Sequence, residues 1–106
     1  MKKIYLAGKI TDLPFEVAVE NFADAEQFVT AHGYVALNPM TLFPKQAGWQ
    51  WHDYMLADLR IVLTEAEAIF MLDNWQTSKG ARIEHAIARE LGIPVFYAAT
   101  LGQVTN

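Results

Sequence analysis

AIFMLDNWQTSKGARIEHAIARELGIPVFY, residues 68–97, reads as a strand, a helix and a second strand. The run Ala68-Ile69-Phe70-Met71-Leu72 is apolar at every position, the pattern of a strand covered on both faces rather than one with a wet side. A polar loop, Asp73 to Thr77, follows. Ser78 offers an N-cap, the helix runs from Ser78 to Leu91, and Gly92 closes it. Pro94-Val95-Phe96-Tyr97 is then another short strand. A strand, helix and strand in this order form a crossover between parallel strands.

The same alternation extends toward the N-terminus. Ile4-Tyr5-Leu6-Ala7 is an apolar strand ended by Gly8. Asp12 and Pro14 mark a helix start, and Phe15 to His32 carries apolar Ala18, Phe22, Ala25 and Val29 at helical spacing before Gly33. Tyr34-Val35-Ala36-Leu37 is a second strand, stopped by Asn38-Pro39. Met40 to Gly48 reads as a long packed loop, and Trp51 to Glu65 as a helix. The tail from the last strand to Asn106 is weakly patterned. The fold class expected is α/β: a small doubly wound parallel sheet in three layers, strand order 2-1-3-4. In such sheets ligands bind beyond the carboxyl ends of the strands. The loops after Ala7, Leu37 and Leu72 therefore share one rim.

The chain has 106 residues, the size of a single domain, with 53% hydrophobic and 19% charged residues, as in ordered globular proteins. Its net charge of −4 comes with no basic run, which argues against a nucleic acid polymer as partner but not against a single nucleotide. The absence of cysteine excludes disulfides, Cys-ligated zinc and thiol catalysis. Two lysines precede the first apolar run, but that run is shorter than the ~7 to 15 residues of a signal peptide. No stretch approaches the ~20 apolar residues of a membrane span. A soluble, cytoplasmic protein is expected.

Two carboxylates break the apolar periodicity of their helices. Asp58 has Tyr54, Met55, Ile61 and Val62 as its helical neighbours, and Glu84 has Gly80, Ala81, Ile87 and Ala88. Neither finds a cation on its own helix. An unpaired carboxylate facing a core or cleft loses solvation worth several kcal/mol, roughly, unless compensated. The pair marks a candidate site. Ser78 and Gly80 lie at a helix N-terminus, where free N–H groups favour a phosphate or a sugar hydroxyl. That positive end should also help Glu84 stay ionised. The structural alternatives are an ordinary cap at Ser78, a packing glycine at Gly80, a distant cation for Glu84 and a helix-capping role for Asp58.

Asp73, directly after the most hydrophobic strand, is a further candidate acid. The Gly8 turn with Lys9 and Thr11 has the makings of a phosphate cradle without matching a dinucleotide or Walker motif. His32, His52 and His85 have no metal-ligand spacing, so no metal is expected. Trp51 and Tyr54 read as core or interface residues, whereas Trp75, on the loop at the rim, is the better candidate for contact with a ligand or a neighbouring subunit.

Taken together, Ile4-Tyr5-Leu6-Ala7-Gly8-Lys9-Ile10, Asp58-Leu59 and Ser78-x-Gly80-x-x-x-Glu84 resemble the nucleoside 2-deoxyribosyltransferase superfamily, in particular its deoxynucleoside 5′-monophosphate N-glycosidases and a group of small, uncharacterised phage and bacterial proteins within it. The resemblance spans nearly the whole chain and implies one such domain over residues 1–106, with a flavodoxin-like fold. It implies sites at subunit interfaces, hence a homodimer or larger oligomer, and no cofactor. By matching position, Glu84 resembles the nucleophile that attacks C1′ of deoxyribose, and Asp58 the acid that protonates the leaving base or holds the sugar. Ser78 and Gly80 resemble the phosphate or 5′-hydroxyl site, and Tyr5 with Gly8 and its following residues Lys9 and Ile10 the sugar-facing turn. The implied reaction is cleavage or transfer at the N-glycosidic bond. Where the resembled monophosphate enzymes carry serine then arginine after the glycine, this chain has Lys9-Ile10-Thr11, so Lys9 is expected to supply the charge. The Asp73 to Thr77 loop is longer, with Trp75 at its mouth.

Overall fold

A computed structural model describes residues 2–99. Four parallel strands, β1 (Lys3–Ala7), β2 (Val35–Leu37), β3 (Ala68–Met71) and β4 (Val95–Tyr97), form one sheet in the order β2-β1-β3-β4. The helices are α1 (Phe15–Ala31), α2 (Pro39–Leu42), α3 (Trp51–Thr64) and α4 (Lys79–Leu91), with a 3-10 turn at Trp75–Thr77. This is the expected small, flavodoxin-like α/β/α arrangement. The tail expected to be weakly patterned lies, from residue 100, outside the described residues.

Side-chain alternation along the two central strands divides the core. Ile4 and Leu6 of β1, with Ala68 and Phe70 of β3, pack against Phe22, Ala25 and Val29 of α1. Tyr5 and Ala7, with Ile69 and Met71, pack on the opposite face against Val62 of α3 and Ala81 and Ala88 of α4. Tyr5 stands opposite Ile69 in the parallel register, at the centre of the sheet. Its polar tip is therefore carried under the two helices that hold Asp58 and Glu84.

Local signals explain the ends of α4. The Ser78 hydroxyl accepts the Ala81 N–H at 3.2 Å, and Gly92 adopts a left-handed φ of 74° at the C-cap. At α3 the Asp53 carboxylate accepts the Gln50 N–H at 2.8 Å. Two local expectations change. Asn38-Pro39 not only stops β2 but starts α2, because Asn38 Oδ1 accepts the Met40 N–H at 2.9 Å and Pro39 occupies the first helical position. The segment expected as a packed loop is thus helical to Leu42, and residues 44–50 beyond it are exposed rather than packed. At α1, Asp12 does not cap; it takes a positive φ of 71° in the preceding turn, and the helix begins directly after Pro14.

Candidate functional site

Tyr5 is inaccessible, Glu84 is 4% exposed and Asp58 7%. The Tyr5 hydroxyl donates to Glu84 Oε2 at 2.6 Å, at the short end of the range for O–H···O bonds. It also lies near enough to Asp58 to favour that carboxylate's ionised form. A hydroxyl has one proton to donate, and the 2.6 Å geometry gives it to Glu84. Among the described residues no side-chain polar atom is both fully buried and without a partner. Asp58 therefore keeps oxygen surface toward the cleft.

Burial dominates the ionisation of all three groups. Desolvation lifts Asp58 to about 7, against a smaller opposing effect of the Tyr5 hydrogen bond. Desolvation likewise lifts Glu84 to about 8; the Tyr5 hydrogen bond opposes the rise, and the Asp58 charge adds to it. Tyr5 is held well above its ordinary value by burial first and by the Glu84 and Asp58 charges second, so it remains a neutral donor. Burial, not the α4 N-terminus expected to help Glu84 ionise, sets the direction of its shift. Near neutrality the two carboxyls together hold at least one proton.

These residues border a cleft of about 860 Å³ at the carboxyl end of the sheet. Residues Trp51, Tyr54, Met55 and Asp58 reach it from α3, at helical spacing along one stripe. Gly80, Ala81 and Glu84 do the same from α4. Gly80 is the close-approach point between the helices, since a Cβ there would stand 2.9 Å from Met55 Sδ. Gly8, Ile10 and Thr11 supply the wall after β1, and Phe43 and Lys45 line the cleft from the segment after α2.

A family model described as a domain of unknown function, DUF4406, matches residues 2–97. The chain belongs to the DUF4406 family. No curated protein and no solved structure matches it significantly.

In this DUF4406 domain, seven of the ten residues singled out from sequence line the cleft: Tyr5, Gly8, Ile10, Asp58, Ser78, Gly80 and Glu84. Lys9, Asp73 and Trp75 do not. Trp75 stacks on His85 with ring centroids 4.3 Å apart, and His85 Nε2 meets the Tyr97 hydroxyl at 2.7 Å, so this aromatic belongs to packing between the 3-10 turn, α4 and β4. Trp51 is not the core residue that was one of its two expected roles. It is 40% exposed and lines the cleft, with Lys79 Nζ 4.8 Å from its ring centroid. Its position seven residues before Asp58, two helical turns back on the same face, was the available signal.

Sequence reading also passed over Lys45, Lys79 and Arg82. All three line the cleft, and none is in an ion pair among the described residues. Lys79 and Arg82 follow Ser78 in the first turn of α4, so the positive charge expected from Lys9 is found across the cleft. Among the described residues no group of three His, Cys, Asp or Glu side chains is placed to hold a metal ion, and no helix is long and apolar enough to cross a membrane. Chemically, the site offers two carboxyls of raised pKa, a neutral hydroxyl donor, and cations toward the mouth.

Proposed function

We propose that this domain cleaves or exchanges the N-glycosidic bond of a 2′-deoxynucleoside or its 5′-monophosphate, with Glu84 as nucleophile. The observation that carries the reading is the 2.6 Å bond from Tyr5 to Glu84 beside Asp58, bordering a cleft large enough for a nucleotide. A double-displacement glycosyl transfer uses a pair of carboxyls, one as nucleophile and one as general acid and then base. The ionised Glu84 attacks C1′ as the bond to the base nitrogen breaks; the electron pair leaves with the base, and protonated Asp58 supplies its proton. A glycosyl ester on Glu84 remains. Water, or a second base, then attacks C1′, Asp58 takes the incoming proton, and the Glu84 carboxylate is released.

The cleft-lining cations Lys45, Lys79 and Arg82 support an anionic group on the ligand. Trp51 supports a planar one. A homo-oligomeric assembly belongs to the same reading, because α3 turns Leu56 (67% exposed) and Leu63 (57% exposed) to solvent one heptad apart. So does a cytoplasmic location, where nucleotides are metabolised.

Burial favours a second reading, a non-catalytic nucleotide or sugar-phosphate binding module: it pushes the Glu84 carboxyl up to about 8, and the protonated carboxyl is a hydrogen-bond donor to a ligand. Chromatography of a panel of deoxynucleosides and deoxynucleotides, with and without an acceptor base, separates the two. Base release or exchange by wild type and its loss in Glu84→Ala is the expected result. Ligand-induced thermal shifts without base release would support the binding module instead.

A further inference from the structure

The β1–β3 ladder ends at the pair Ala7 and Met71, with one more backbone bond beyond it, from the Leu72 N–H to the Ala7 carbonyl at 2.8 Å. At that point the two chains leave the sheet in different directions, one into the turn that walls the cleft and the other toward the 3-10 turn and α4. The next connection between them is made by a side chain: Asn74 Oδ1 accepts the Lys9 N–H at 3.0 Å, in a partly buried setting. Between these two bonds Gly8 is pressed against Leu72, where a Cβ would stand 2.8 Å from Cδ2 and 2.9 Å from Cβ of that buried leucine.

We infer that Asn74 is a positioning residue, whose side-chain carbonyl extends the β1–β3 pairing past the end of the ladder and fixes the Gly8–Thr11 wall of the cleft. The bond accounts for two placements. It turns the Lys9 amide toward Asn74, and the Lys9 side chain is absent from the cleft lining while Gly8, Ile10 and Thr11 are present. It also links the wall after β1 to the segment that leads into Ser78 and Glu84, so the two sides of the cleft are held at one spacing by a single acceptor. Asn74 itself does not line the cleft. An acceptor at this position is the requirement, which Asp meets and Ala does not.

The consequence for turnover rests on the glycosyl-transfer reading; the consequence for the turn does not. The test compares the purified full chain with Asn74→Ala and Asn74→Asp by two measurements. Hydrogen exchange in the absence of ligand reads the amides of residues 8–12, and steady-state kinetics reads the best substrate of the wild-type protein. In Asn74→Ala the Lys9 amide is expected to exchange about tenfold faster or more. KM is expected to rise severalfold more than kcat falls, with the pH limbs unchanged because Asp58 and Glu84 are untouched. Asn74→Asp restores both. Unchanged exchange at Lys9 in Asn74→Ala, or an Asp variant as fast-exchanging as the Ala variant, overturns the proposal. If wild type turns over nothing in the panel, the glycosyl-transfer reading fails on its own, and the exchange comparison still decides the role of Asn74.

Discussion

Tyr5 and Glu84, 79 residues apart in sequence, are joined by a 2.6 Å hydrogen bond under α3 and α4. The bond links the central strand of the sheet to the second turn of α4 and sets the state of the carboxyl. Replacing the hydroxyl removes a donor that favours the ionised form while leaving the desolvation intact. Tyr5→Phe should therefore raise the Glu84 pKa above about 8 and cut base release at pH 7 by about tenfold or more, a loss of the size expected for a hydrogen bond to a charged group. The alkaline limb should move to higher pH. An unchanged pH–rate profile in this variant would remove Tyr5 from the account.

The wild-type profile itself is constrained. The reactive form needs Glu84 ionised and Asp58 protonated, the reverse of the order set by values of about 8 and about 7. The two carboxyls titrate as a pair, and the competent form is the minor one-proton state with the proton on Asp58. The rate should rise with pH up to about 7 and fall above about 8, both limbs belonging to the coupled pair. A profile flat from pH 6 to 9 would contradict the assignment.

Folding stability should show an uncommon sign for carboxylates. The folded-state values of Asp58 and Glu84, about 7 and about 8, lie above the ordinary 3.8 and 4.5. Between these limits the unfolded chain has lost its protons while the folded one keeps them. Stability from this pair is thus fully present below about pH 4 and is lost progressively as pH rises to about 8. At pH 8 the Asp58→Asn/Glu84→Gln protein should be more stable than wild type by a few kcal/mol, roughly, since amides of similar shape need no ionisation. Denaturant melts at pH 5 and pH 8 check this; the difference between the proteins should shrink at the lower pH.

Two glycines at the cleft should respond differently to the same change. At Gly8 an added methyl meets the Cβ and Cδ2 of buried Leu72, so Gly8→Ala should destabilise by about 1–3 kcal/mol. At Gly80 it meets Met55 Sδ, part of an unbranched side chain that can swing aside, and Gly80→Ala should cost less than about 1 kcal/mol. Chemical denaturation of both variants measures the difference.

Parts of this architecture were readable because physics writes them locally. Strands buried on both faces must be continuously apolar, which exposed the run from Ala68 to Leu72 as the middle of a parallel sheet. Asp58 and Glu84 stood out because a helix places its neighbours at fixed spacing, and all of those neighbours were apolar. Other features depend on contacts that spacing does not encode. Asn38-Pro39 carries the same residues whether it ends a strand or caps a helix, and only the hydrogen bond to Met40 shows that it does both. Lys9 was adjacent to the right glycine, yet its backbone amide turns to Asn74. Trp75 was on the right loop, yet His85 and Tyr97 take up its ring. The ionisation of Glu84 is a contest between a helix end and burial, and burial is settled by the whole fold.

The most direct test of the central claim is mass spectrometry of wild-type protein quenched in acid during incubation with the best substrate, followed by peptide mapping. The account predicts a deoxyribosyl ester, or its 5′-phosphorylated form, on Glu84, absent from Glu84→Ala and discharged when water or an acceptor base is given time to react. Base release with no adduct on Glu84, or release that survives in Glu84→Ala, would contradict it.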